Sequence, residues 1–184
     1  MPNYKKVDSS RISISELMKP SHSNFSGKIH GGYILSLMDN IAFACASKHS
    51  KAYCVTASVD TVDFLSPIEV GELVTMKASI NFVGRTSMVV GIRVEAENIQ
   101  TGNKKHCNSS YFTMVAKDDQ GKSIEVPGLI LNDNNEIKRY LKALKRMETK
   151  KARQAEFDHQ DFTHQDYLEQ LKDYKVRIEL PDNY

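Results

Sequence analysis

Tryptophan is absent from the 184 residues, cysteine occurs three times, proline five times and glycine nine times. With so little Gly and Pro the chain is neither collagen-like nor low-complexity. Cys45, Cys54 and Cys107 are odd in number, far apart and without a CxxC pair, so they read as reduced core thiols of a cytoplasmic protein. A cysteine nucleophile would need a histidine and an electropositive setting, which the sequence does not display. Charge of one sign is also lacking. Twenty-five basic residues oppose 23 acidic ones, a net of +2, which leaves no footprint for nucleic acid or an anionic membrane surface. The longest weakly charged stretch, Ile29 to Ser47, is interrupted by Asp39, and a membrane span needs about 20 mostly apolar residues, so no membrane insertion is expected. Met1-Pro2-Asn3-Tyr4-Lys5-Lys6 has no apolar run behind its lysines, and no secretory signal is expected. The six histidines show no ligand spacing and no HExxH, so no metal is expected; neither a Walker loop nor GxGxxG occurs.

What is present suffices for one domain with a proper core, at 40% hydrophobic residues. Charge density divides the chain. Residues 1–128 hold 14 basic and 12 acidic side chains, whereas the much shorter 129–184 holds 11 of each. The division predicts a globular domain over 11–127 and a charged helical extension over 128–184.

Along the chain, Ile12 to Leu17 alternates with period two and reads as a strand closed by Pro20. After a polar loop and the Gly31-Gly32 pair, Ile34, Leu37, Met38, Ile41, Ala42 and Cys45 form a helical stripe. Asp39 is the single charge from Tyr33 through Ser47, so this helix is expected to be buried on more than one side. The period then returns to two. Strands are predicted over Tyr53–Leu65, with Val55, Ala57 and Val59 on one face, and over Leu73–Val83, Ser87–Ile99 and Lys105–Ala116. Short turns between them imply antiparallel neighbours, giving an α+β fold with one long helix wrapped by the sheet. In the extension, Ile137, Tyr140, Leu141, Leu144 and Met147 mark a second helix capped by Asn134 or Asn135; a third pattern runs through Tyr167, Leu168 and Leu171.

Asp39 stands out chemically. Aspartate prefers caps to helix interiors. It is therefore either an exposed residue, free or paired with Lys48, or a partly desolvated carboxylate able to act as base or nucleophile on an acyl carbonyl. Gly31-Gly32 opens the helix, where accessible amides favour developing negative charge and would suit an oxyanion hole, although a plain tight turn has the same sequence. Asn24, in the preceding loop, could hold a carbonyl or water, or simply make an Asx turn. His30 reads as a loop or capping residue. Gly84-Arg85-Thr86-Ser87 could hold a phosphate through amides, hydroxyls and a guanidinium, or be an ordinary hairpin.

Together, Asn24-Phe25-Ser26-Gly27-Lys28-Ile29-His30-Gly31-Gly32 and Asp39, followed by Asp63-Phe64-Leu65-Ser66-Pro67-Ile68-Glu69-Val70-Gly71-Glu72 and by Gly84-Arg85-Thr86-Ser87-Met88, resemble the hotdog-fold acyl-CoA thioesterases of the cytosolic acyl-CoA hydrolase type. The resemblance covers about residues 11–127. It implies a hotdog fold: a long central helix wrapped by a mainly antiparallel five-stranded sheet, here with a C-terminal helical extension. Dimers would share one continuous sheet and often assemble into trimers of dimers. It implies hydrolysis of a fatty acyl-CoA to free acid and CoA, with CoA part of substrate and product and no cofactor. Asp39 would be the catalytic carboxylate, Asn24 would come from the partner protomer, and the Gly32 N–H would polarise the thioester carbonyl. Gly84, Arg85, Thr86 and Ser87 would lie near the CoA phosphates. The arm after Gly128 would pack on a neighbouring subunit or add cations to the CoA site. The alternative is a non-catalytic acyl-CoA-binding or sensing hotdog protein.

Overall fold

The computed structural model describes residues 3–159 together with Leu171, residues 174–177 and Glu179. Its centre is helix α1, Gly31–Ser50. The helix starts where His30, extended at φ −63° and ψ 125°, stops the preceding loop. It ends where Lys51 takes a left-handed conformation at φ 63° and returns its N–H to Ser47 O. Ile34, Met38, Ile41, Ala42 and Cys45 are all at most 2% exposed, so the stripe in the sequence is the buried face. Burial of an Ile or Met side chain contributes roughly 1.5–3 kcal/mol.

Five strands surround it: β2 (Ile12–Leu17), β3 (Tyr53–Val59), β4 (Glu72–Val83), β5 (Ser87–Asn98) and β6 (Lys104–Lys117). They pair antiparallel throughout, in the order β2-β4-β5-β6-β3. Alternate residues face the helix, among them Met76 and Ile80 of β4, Val90 and Val94 of β5, and Phe112 and Met114 of β6. Lys77, Arg93 and Glu95 face away and pair with one another at 2.7 and 2.8 Å. Helix α1 contacts every strand of this sheet.

β3 departs from expectation. It stops at Val59 rather than Leu65, and a bulge between Thr56 and Ser58 breaks the alternation. Cys54 is buried against the core and Thr56, two residues on along the same face, reaches Asp39 of α1, whereas the bulge after Thr56 takes Ala57 out of the ladder so that Val55, Ala57 and Val59 do not form one continuous face. Beyond Val59 the chain still follows β6: Asp60 N–H donates to Tyr111 O and Leu65 N–H to Cys107 O, each at 2.9 Å. The expectation of a helix buried on more than one side also changes. Leu35 and Phe43, flanking Asp39, are 37% and 40% exposed.

A small parallel sheet joins β1 (Tyr4–Lys6) to β7 (Gly128–Ile130), two strands too short to leave a periodic signal. Helix α2 follows, Asn134–His159. Its cap is Asp133, whose carboxylate accepts the Glu136 N–H at 2.8 Å, in place of the expected Asn134 or Asn135. Glu136 and Ala143 are buried, while Ile137 and Leu141 are 44% and 58% exposed and Tyr140, Leu144 and Met147 are half-buried, so only part of the apolar stripe packs. Glu136 receives Arg11 at 3.3 Å and the Asn132 N–H at 2.7 Å, and the Tyr140 ring lies tilted against Phe82 with ring centres 5.1 Å apart. The first compact unit therefore runs from Met1 to Leu144 rather than over 11–127, because β1, β7 and the opening turns of α2 pack with the sheet. The second unit begins at Lys145. In it, Lys145 and Glu148 pair at 3.6 Å, and Arg177 pairs with Glu179 at 2.8 Å. The third helical pattern lies outside the described residues apart from Leu171.

His49, fully buried at the end of α1, ties these pieces together. Its Nε2–H donates to Pro127 O at 2.9 Å, which leaves Nδ1 to face the Ser10 hydroxyl at 3.4 Å. Burial lowers its pKa below the usual 6.5. A group whose folded pKa is depressed stabilises the fold above its unfolded value and loses that contribution as pH falls through the folded one. Urea midpoints are therefore expected to drop in the wild type as pH is lowered from about 6.5, and to drop less steeply in His49→Gln. Glu136→Ala leaves the Asn132 amide and Arg11 without their acceptor, and is expected to cost about 1–3 kcal/mol of unfolding free energy by the same titration. An unchanged midpoint would place α2 outside the folded body.

Candidate active site

The loop ahead of α1 is held by the rest of the chain. Ile29 N–H donates to Ile68 O at 2.9 Å, Lys28 pairs with Glu69 at 2.6 Å, and His30 N–H donates to His22 O at 2.9 Å. Within it, Asn24 Oδ1 accepts Ser26 N–H at 2.9 Å, Ser26 O–H at 2.7 Å and Lys28 N–H at 3.2 Å. Two of these donors are backbone amides, so the oxygen identity of that atom is set. Asn24 thus makes its Asx turn and still presents its NH2 as a donor. Beside it, Phe25 is fully exposed at the loop tip.

At the helix start, Tyr33 N–H donates to His30 O at 3.0 Å, and Gly32 N–H donates to His30 Nδ1 at 2.9 Å. His30 is the cap, as its position suggested. The Gly32 amide is consequently engaged by a side chain of its own protein, unlike the open donor expected. The Tyr33 hydroxyl donates to Glu16 Oε1 at 2.5 Å, which pushes its pKa up to about 12, and the His22 ring stacks on Tyr33 with centres 4.0 Å apart.

Asp39 lies two turns further on, on the exposed side of α1 between Leu35 and Phe43. Its partner is Thr56, whose hydroxyl donates to Asp39 Oδ1 at 2.6 Å; no pair with Lys48 occurs among the described residues. A hydroxyl-to-carboxylate bond is charge-assisted and short. It orients the carboxylate through Oδ1. Thr56 was not identified from sequence, since attention fell on the apolar row Val55, Ala57 and Val59; the available signal was a hydroxyl in the first strand after the helix, on the face opposite that row.

Gly84–Ser87 forms the β4–β5 turn, with Gly84 N–H on Ser87 O at 2.8 Å. The Thr86 and Arg85 carbonyls accept Ala116 N–H and Val126 N–H at 3.1 and 3.0 Å, while the Arg85 side chain stays exposed. Thr56 pairs with Met114, and Met114 with Met88, so this turn lies at the same end of the sheet as Thr56, about 10 Å away across two strand spacings. The three cysteines are buried and free; burial pushes the Cys45 thiol up to about 12 and raises Cys107, which disfavours a thiolate in either. No cluster of three His, Cys, Asp or Glu side chains suited to a metal occurs among the described residues, and no described helix is long and apolar enough to cross a membrane.

This arrangement is matched among known proteins. The thioesterase superfamily profile matches residues 26–103. Protein VdlD of Helicobacter pylori is 44% identical over 142 residues, which is 77% of this chain and 81% of that one. A solved apo-hexameric acyl-CoA thioesterase superposes with a TM-score of 0.81 at 37% identity, covering 83% of this chain and 98% of its own. An acyl-CoA hydrolase from Staphylococcus aureus, solved with butyryl-CoA and CoA, superposes with a TM-score of 0.78 at 34% identity, covering 84% and 94%. One long helix wrapped by a five-stranded antiparallel sheet is the hotdog architecture, and the chain belongs to the hotdog-fold acyl-CoA thioesterase family. It is an enzyme, a thioester hydrolase, which closes the non-catalytic alternative.

The Thr56–Asp39 bond carries its own test. Thr56→Val keeps the shape and removes the donor, and is expected to lower kcat about 10- to 100-fold, the worth of one hydrogen bond to a charged group. Thr56→Ser should retain most of the activity. Equal turnover in Thr56→Val and wild type would remove Thr56 from the site.

Proposed function

We propose that this enzyme hydrolyses acyl-CoA to free carboxylic acid and CoA at a site built from two copies of the chain. Asp39 of one copy is the base or nucleophile, and Asn24 and Gly32 come from the other. The observation that carries this reading is the Asp39 carboxylate held at 2.6 Å by Thr56 on the exposed side of α1. Structures of the Staphylococcus aureus hydrolase include variants with an asparagine, an aspartate and a threonine each changed to alanine. In that protein the three stand 15 and 17 positions apart in chain order, the same separations as Asn24, Asp39 and Thr56 here.

Helix geometry supports the division between copies. Gly32 and Asp39 are seven residues apart, about 10 Å along the axis at 1.5 Å per residue. A reacting carbonyl needs its attacking group and its oxyanion donor each roughly 3 Å away. One copy of α1 therefore suits one half of the site. The open flank of Leu35 and Phe43, together with the edge strand β3, supplies apolar surface and a free backbone ladder for a second copy. The hexameric relative favours further assembly into a trimer of dimers.

Catalysis follows from these groups. The Asn24 NH2 and the Gly32 N–H donate to the thioester oxygen as it gains charge. Asp39 either takes a proton from the attacking water or attacks to give a mixed anhydride that water then opens. CoA leaves as thiol and no cofactor is required. Gly84, Arg85, Thr86 and Ser87 hold the CoA phosphates, with the exposed guanidinium of Arg85 supplying charge. A cytoplasmic setting agrees with the human cytosolic acyl coenzyme A thioester hydrolase, 33% identical over 141 residues, although this chain spans only 37% of that protein.

Asp39→Asn is expected to lower kcat at least 100-fold on acyl-CoA substrates from acetyl to palmitoyl, with the circular dichroism spectrum unchanged. Mixing Asn24→Ala and Asp39→Ala chains tests the shared site. Random pairing of two inactive chains restores one intact site in half of the dimers, so about a quarter of wild-type activity should return. Continued inactivity of the mixture would place Asn24 and Asp39 of one chain in one site.

A further inference from the structure

The amide assigned to the oxyanion is not idle in the free protein. Gly32 N–H points at His30 Nδ1 at 2.9 Å. Glycine makes this possible: a Cβ at position 32 would lie 2.9 Å from both Cε1 and Nδ1 of the ring, so only a residue without a side chain allows the imidazole to fold over its amide. The backbone of His30 is pinned, with its N–H on His22 O at 2.9 Å and its carbonyl accepting Tyr33 N–H at 3.0 Å and Ile34 N–H at 3.3 Å. The ring is exposed, by contrast, and rotates about its side-chain bonds without disturbing those contacts. Accepting at Nδ1 also sets the proton of the neutral ring on Nε2.

We infer that His30 is a positioning residue that holds the Gly32 amide in the resting enzyme and must release it to the substrate oxygen during turnover. This rests on the reading of Gly32 as an oxyanion donor given above. One N–H does not serve two acceptors at full strength. An imidazole nitrogen is a better acceptor than a neutral thioester carbonyl, and a poorer one than an oxyanion. The exchange therefore takes place as charge develops on the oxygen, and its cost falls on kcat rather than on KM. His30 keeps the helix capped between turnovers, and its ring competes with the transition state for one donor.

Two substitutions separate this from a merely structural cap. His30→Phe keeps a ring and removes the acceptor. His30→Asn keeps an acceptor suited to a helix cap. With saturating acyl-CoA, His30→Phe should raise kcat about two- to tenfold, the worth of one neutral hydrogen bond, with KM within about twofold of wild type. His30→Asn should remain at or below wild-type kcat. In Asp39→Asn protein carrying labelled histidine, the His30 Nδ1 nitrogen resonance should keep its hydrogen-bonded position when a non-hydrolysable acyl-CoA thioether with an intact carbonyl binds. A folded His30→Phe enzyme with kcat equal to or below wild type would overturn the inference, as would a gain confined to KM. Loss of activity in Asp39→Asn together with no gain in His30→Phe defeats only the role of His30. Full activity in Asp39→Asn defeats the site assignment itself.

Discussion

Burial of a single helix inside a curved antiparallel sheet is the constraint on which this molecule depends. Ile34, Met38, Ile41, Ala42 and Cys45 occupy one side of α1, and no single strand can cover them. β4, β5 and β6 supply inward rows long enough to do so, and β2 and β3 extend the wrap at the edges. The same wrap leaves the opposite side of α1 open, since five strands do not close around a helix. Asp39 lies on that open side, where its charge is not stranded in the core.

The chemistry sits where the wrap ends. At the start of α1, amides without intrahelical partners meet a loop pinned through Lys28, Ile29 and His30. At the edge strand, Thr56 shares the inward face with Cys54 and gives the Asp39 carboxylate a hydrogen bond. The hydroxyl bonds one carboxylate oxygen of Asp39 at 2.6 Å, and Leu35 and Phe43 flank the carboxylate with exposed apolar surface.

Legibility from sequence followed the physics of each element. The helix stripe and the meander from β4 to β6 were readable because each has one buried face and hence one clean period, and Ile12–Leu17 was readable from its alternation although Ile14 and Leu17 stay exposed. β3 was misread past Val59 because the chain keeps bonding to β6 after leaving the ladder, and the single face assigned to Val55, Ala57 and Val59 is broken because a bulge has no period. β1 and β7 are three residues each, too short to show alternation. In α2 the apolar stripe misled: a carboxylate, Glu136, takes the buried place through Arg11 and the Asn132 amide, while Ile137 and Leu141 face outward.

For the candidate site, Asn24, Gly32 and Asp39 stood out by residue type and spacing, but each also had an ordinary reading, and the resemblance to a known family was what joined them into one site; His30 read only as a loop or capping residue. The sequence by itself determined the wrapped helix and its strand order of appearance, since these rest on a repeating period, and it marked Asp39 as an unusual charge within that helix. Only the tertiary structure decided that Thr56 orients Asp39, that His30 covers the Gly32 amide, and that the folded body continues to Leu144. Those are hydrogen bonds and packing contacts set by side-chain rotation and long-range closure, and none of them leaves a periodic trace along the chain.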